Sequence, residues 1–126
     1  MFKIINIDRI NEKFGRDVGT QLIVDVSNIV KRNVSSEYIF VRYMGPKFAI
    51  AFSGVNIEGV ETFVKSIKDE IEALKVGKKE ENKKAHAITN FVLTTYYKGT
   101  GIEEVTKKLE EYLDECDQKE SNINCI

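Results

Sequence analysis

Apolar positions along this chain follow two distinct periods. Over residues 18–34, Leu22, Ile23, Val26, Ile29 and Val30 recur at spacings of three and four, so they share one helical face, while Asp25, Asn28 and Lys31 fall elsewhere. The same period returns in Val60, Phe63, Val64, Ile67, Ile71 and Leu74, which predicts a helix over 57–75 with Asn56 as its N-cap. It returns again in Ile102, Val105, Leu109, Tyr112, Leu113 and Cys116, a third helix over 102–117. Between these lie runs of strand composition at 2–7, 38–44, 47–53, 85–97 and 123–126. Gly45-Pro46 separates the second run from the third and predicts an antiparallel hairpin.

The predicted order is therefore β-α-β-β-α-β-α-β. Right-handed crossovers and a paired hairpin make this an α+β chain, a ferredoxin-like αβ sandwich with a central mixed β-sheet and helices packed over it. A length of 126 residues corresponds to one domain over 1–126. Nineteen basic residues against twenty acidic give a net charge of −1, so no overall field draws the chain to nucleic acid or to an anionic membrane. No apolar run approaches a membrane span, and no basic segment followed by an apolar one opens the chain. Cys116, Cys125 and the single His86 match no metal-ligand spacing and read as ordinary residues of a reducing, cytoplasmic setting. The charged stretch at 75–84 is expected to be a solvated loop.

Chemistry in such sheets gathers at strand ends. The turn after the first strand offers Asp8, Asn11, Glu12 and Arg16, and the hairpin tip offers Arg42, Gly45, Pro46 and Lys47. Each also has a purely structural role open to it: Asp8 as a helix-initiating carboxylate, Asn11 as a turn or capping residue, Arg42 with its stem along the sheet.

Two motifs go further. Asn6-Ile7-Asp8, followed by Ile10-Asn11-Glu12-Lys13-Phe14-Gly15-Arg16-Asp17-Val18-Gly19-Thr20, resembles the D-x-D and I-N-D-x-x-G-H-x-x-G-D stretch that opens GGDEF domains, the diguanylate cyclases. Arg42-Tyr43-Met44-Gly45-Pro46-Lys47-Phe48 is similar to their R-x-G-G-D/E-E-F hairpin, with Arg42, Gly45 and Phe48 retained. Residues 119–126 are similar to the family's K-x-x-G-R-N-x-V ending, so the likeness runs the length of the chain. The resemblance implies the nucleotidyl cyclase type of sandwich. In that family two GTP-bound domains face each other to make cyclic di-GMP, with magnesium held by a hairpin acid and by an aspartate at the end of the first strand. Carried over residue by residue, it marks Asp8 for metal and marks Asn11, Thr20, Arg42, Gly45, Lys47 and Lys119 for nucleotide.

The departures weigh against turnover. Pro46 and Lys47 replace the hairpin acids, and a lysine there reverses the local potential that a divalent cation requires. Asn6 stands at the first aspartate, and the segment to Asn11 is shorter than the pattern by about three residues. Thr20 replaces the carboxylate that accompanies the guanine-reading Asn11, and Ile123 stands at the arginine of the ending. Ser35 and Tyr38 occupy the positions of the product-binding R-x-x-D motif.

The sequence thus predicts a catalytically inactive GGDEF-like regulatory domain of a bacterial signalling protein, excised from a longer multidomain parent and acting by protein interaction or nucleotide sensing. The alternative is a residual or altered cyclase that converts GTP to cyclic di-GMP. No cofactor is expected, with magnesium only where nucleotide binding is retained. Expected partners are other domains of the parent, a partner signalling protein, a feeble homodimer, and GTP or another nucleotide drawn by Arg42 and Lys47, but not nucleic acid or a membrane.

Overall fold

The first predicted strand stops early. In the computed structural model, which describes residues 1–43, 45–77, 84–97, 99–115 and 121–126, the segment read as one strand over 2–7 divides in two. Strand β1 spans Phe2–Ile4, and after a two-residue turn helix α1 takes Ile7–Phe14. Ile7, Ile10 and Phe14 are spaced by three and four, and burial of Ile10 and Phe14 decides in favour of that helical period. The chain then reverses at Gly15, whose φ of 99° a residue with a Cβ rarely adopts, and enters α2, Arg16–Asn33.

Strands β2 (Ile39–Arg42) and β3 (Lys47–Ala51) form the predicted hairpin. Helix α3, Ile57–Glu72, begins where Asn56 Oδ1 accepts the Gly59 N–H at 2.8 Å, the predicted cap. The long strand predicted over 85–97 contracts to β4, Thr89–Leu93, and Ala85 instead bridges back to Val76. Helix α4, Ile102–Glu115, and strand β5, Asn122–Cys125, complete the chain. The observed order is β-α-α-β-β-α-β-α-β, one helix more than the sequence reading gave.

The sheet runs β2-β3-β1-β4-β5, antiparallel at every pairing except the parallel β4–β5 edge. It is the mixed sheet of the predicted sandwich. One face carries the main core, where Phe2, Ile4, Phe48, Phe91 and Leu93 meet the apolar stripes of α1, α2 and α3. A row of stacked rings runs along that face, with centroids 6.0 Å apart for Phe40–Phe48, 4.9 Å for Phe48–Phe2 and 4.4 Å for Phe2–Phe91. Helix α4 packs on β4 from the other side, burying Val105 and Leu113. Among the described residues no helix is long and apolar enough to cross a membrane.

A polar knot fastens the end of α3 to β4. Lys68, buried, donates to the Thr89 carbonyl at 2.6 Å, to Thr89 Oγ1 at 3.0 Å and to Glu72 Oε2 at 3.0 Å, with its ammonium 5.6 Å from the Phe91 ring centroid. Glu72 Oε2 also accepts from Thr89 N at 2.9 Å, Thr89 Oγ1 at 2.8 Å and Ser121 Oγ at 2.9 Å. Burial alone would raise the Glu72 carboxyl's pKa, but hydrogen bonds from Lys68, Thr89 and Ser121 outweigh it and hold the value below the ordinary 4.5.

Phe2→Ala should cost about 3–5 kcal/mol in urea unfolding by opening a cavity in the ring row, whereas Ile39→Ala, at a side chain 65% exposed, should change stability by less than about 0.5 kcal/mol. Glu72→Gln should cost on the order of 1–3 kcal/mol at pH 7, because it strips Lys68 of its carboxylate. The folded value of Glu72 lies below the unfolded one, so its contribution is complete above 4.5 and is lost as pH falls through the folded value. The deficit of the variant should therefore narrow over that acid range in pH-dependent unfolding curves.

Candidate functional site at the end of the first strand and the hairpin

The register of β1 against β3 pairs Phe2 with Phe48 and, one step on, Lys3 with Lys47. Directly opposed residues share a face and successive residues alternate, so the two lysines lie on the α4 side while the rings lie in the core. The same polar row continues across the sheet, since Lys3 pairs with Asn90 on β4 and Asn90 pairs with Asn122 on β5. Like charges set directly opposite each other are destabilising unless answered. The answer is Asp114 in the last turn of α4, whose Oδ1 lies 3.1 Å from Lys47 Nζ and 3.8 Å from Lys3 Nζ. The cations are the sheltered members, 17% and 23% exposed, and the carboxylate is the open one at 55%.

Backbone hydrogen bonds tie Pro46 and Lys47 to their neighbours. The Ile4 N–H donates to the Pro46 carbonyl at 3.1 Å, and the Tyr43 N–H donates to the Lys47 carbonyl at 2.8 Å. Gly45, exposed with a φ of 66°, makes the reversal.

The residues marked from sequence do not all gather here. Arg42 pairs with Phe48 in the β2–β3 register, which puts it on the opposite face of the hairpin from Lys47. The two basic side chains marked for nucleotide therefore leave the hairpin on opposite faces. Asp8 sits exposed in the first turn of α1, beyond the end of β1. Asn11 lies on α1 with its Oδ1 buried and meeting no hydrogen-bond donor among the described residues. Its amide is pressed against α2, where a Cβ on Gly19 would fall 1.7 Å from that oxygen. Thr20, the next residue on α2, is exposed. Lys119 lies outside the described residues, as do Met44, Cys116 and most of the charged stretch at 75–84.

Asn6, read from the sequence only as a replaced aspartate, and Lys3 and Asp114, which sequence reasoning missed, shape this end of the sheet. Asn6 uses both ends of its amide on the segment leading into β4, donating from Nδ2 to the His86 carbonyl at 2.9 Å and accepting the Ile88 N–H on Oδ1 at 2.9 Å. Lys3 was signalled by a lysine inside an otherwise apolar strand. Asp114 carried no local signal. At the opposite end of the sheet, a cavity of about 180 Å³ is lined by Thr94, Thr95, Tyr96, Tyr97, Glu104 and Lys108 among others, and it includes none of the residues marked from sequence.

Magnesium, which the resemblance brings, takes hard oxygen ligands. The ends of β1 and β3 present two ammonium groups and one carboxylate that both already share, so these residues do not fit a divalent cation.

Comparison with known proteins bears on the whole chain. Among curated proteins none matches the sequence. Solved structures that share its fold include the GGDEF domain of DgcB from Caulobacter crescentus in complex with c-di-GMP. That match has TM-score 0.83 and 18% identity, covering 98% of this chain and 74% of that one. Diguanylate cyclase SiaD from Pseudomonas aeruginosa, in complex with its activator SiaC, matches at TM-score 0.84 and 13% identity, over 99% of this chain but 48% of SiaD. The active GGEEF domain of a diguanylate cyclase from Vibrio cholerae matches at TM-score 0.81 and 15% identity, over 98% and 78% of the two chains. The sequence model described as "Diguanylate cyclase, GGDEF domain" matches residues 1–123, and the chain belongs to the GGDEF domain family.

Proposed function

We propose that this domain is a regulatory GGDEF module that does not condense GTP. The observation that carries the reading is the cross-strand pair of Lys3 and Lys47, closed by Asp114, at the strand end and hairpin where the family resemblance calls for metal-holding acids. Phosphoryl transfer in such a site rests on charge neutralisation and positioning by the metal. A lysine pair supplies positive charge from the protein itself but cannot coordinate a cation, activate a hydroxyl or bridge phosphate oxygens in the way a divalent ion does. Asn6, spent on the backbone of His86 and Ile88, adds no carboxylate.

What remains is a folded module with the family's architecture and a cationic sheet end. Such a module serves regulation by contact with other domains or a partner protein, or by holding a nucleotide without turning it over. The similar protein SiaD is bound to an activator protein and the DgcB domain to c-di-GMP, which supports contact with a protein or a nucleotide as the mode proposed here.

Purified protein incubated with GTP and magnesium should yield no cyclic di-GMP by chromatography, and clear product would overturn the reading. The double change Pro46→Asp and Lys47→Glu should also leave product undetectable. Lys3 stays directly opposite position 47, and the new carboxylate pairs with that ammonium instead of a metal. Turnover by this double variant would show that Lys3 is no obstacle to metal binding.

A further inference from the structure

We infer that Lys3 and Lys47 form a metal-free seat for a phosphoanion, and that the Asp114 carboxylate is the chain's own occupant of that seat. The inference deepens the regulatory reading and rests on it, because a seat of two ammonium groups is incompatible with a divalent cation between them. Strand register fixes the two lysine Cα atoms opposite each other, with both side chains on the same face. They carry six N–H donors between them, against one shared carboxylate oxygen at 3.1 and 3.8 Å. The triad holds an excess positive charge on its most sheltered members.

The occupant is the weakly held partner. Asp114 is 55% exposed, and it sits in the last turn of α4, where the helix dipole disfavours a carboxylate. Glu110, Glu111 and Glu115 lie on the same helix end, so an incoming anion has to displace that end rather than settle beside it. Helix α4 is suited to such movement, because its buried residues, Val105 and Leu113, stand outside the main core cluster and its other apolar contacts, Leu109 and Tyr112, are only half-buried. A phosphate group, with more charge and three acceptor oxygens, satisfies the two lysines better than a single carboxylate. The seat is thus a competition between α4 and a phosphorylated ligand.

Inorganic pyrophosphate, titrated in EDTA and followed by calorimetry, is the test. Wild-type protein should bind weakly, and Asp114→Asn should bind about tenfold more tightly because the internal competitor is gone. Binding by that variant should weaken steeply with added sodium chloride. Adding Lys47→Met or Lys3→Met to Asp114→Asn should abolish the gain. Amide NMR spectra of each variant establish that the fold is intact, and Asp114→Ala serves as a second version of the same change. No gain on removing the carboxylate, or a gain that survives the loss of either lysine, overturns the seat while leaving the absence of cyclase turnover untouched. Cyclic di-GMP made from GTP would instead remove the reading beneath it.

Discussion

One strand register governs both faces of this molecule. By pairing Phe2 with Phe48, β1 completes the ring row that organises the core, and the very next step of the same register sets Lys3 against Lys47. The side-chain period of a strand is two, so a slip of β1 by one residue would drive Lys3 into the apolar cluster and turn Phe2 and Ile4 towards α4. The cost of burying an unpaired ammonium group makes that slip prohibitive. The charged pair therefore protects the register that the rings exploit, and Asp114 removes the repulsion that the arrangement would otherwise carry.

The two faces are held by different physics. On the core side, α1, α2 and α3 contribute apolar stripes whose burial stabilises the sheet without regard to charge. On the far side, α4 packs through buried Val105 and Leu113 and half-buried Leu109 and Tyr112, and adds the exposed Asp114 contacts. The knot around Glu72 lies on the α3 side of the same sheet end, and it closes differently. Its carboxylate is enclosed by donors from Lys68, Thr89 and Ser121, whereas Asp114 is open to water and shared by two cations. A satisfied network of the first kind rigidifies, while an exposed ion pair adds little stability and leaves its members free to exchange partners.

How far the sequence spoke depended on the range of each interaction. Helices α2, α3 and α4 were legible because their stripes repeat within a few residues, and the Asn56 cap because it acts over three. Helix α1 was lost where its stripe, Ile7, Ile10 and Phe14, follows an apolar strand without a breaker, so strand and helix merged into one run. Strand β4 was overextended because its lead-in has strand composition, although that lead-in is held by Asn6 and by a bridge to Val76. The candidate site was legible at Lys47 and Pro46 but not in its composition. That Arg42 turns away from Lys47 follows from alternation along paired strands and could have been read from the hairpin register. That Lys3 and Asp114 come to Lys47 requires the strand order and the docking of the last helix, which no local pattern encodes.

The family fold persists here at 13–18% identity to the solved structures compared, with Lys3 and Lys47 set side by side at the hairpin end. The physical reason is that the two properties separate cleanly along β1. Apolar positions at Phe2 and Ile4 set strand placement, and the position between them, Lys3, points to the other face, where either sign of charge is tolerated if it is neutralised. A site of carboxylates needs a cation brought from solution, so its neutralisation depends on metal and ligand together. A site of lysines neutralised by a helix of the same chain is complete as it folds. In this chain, then, charge balance at the hairpin end rests on the position of α4, whose Asp114 lies beside both ammonium groups.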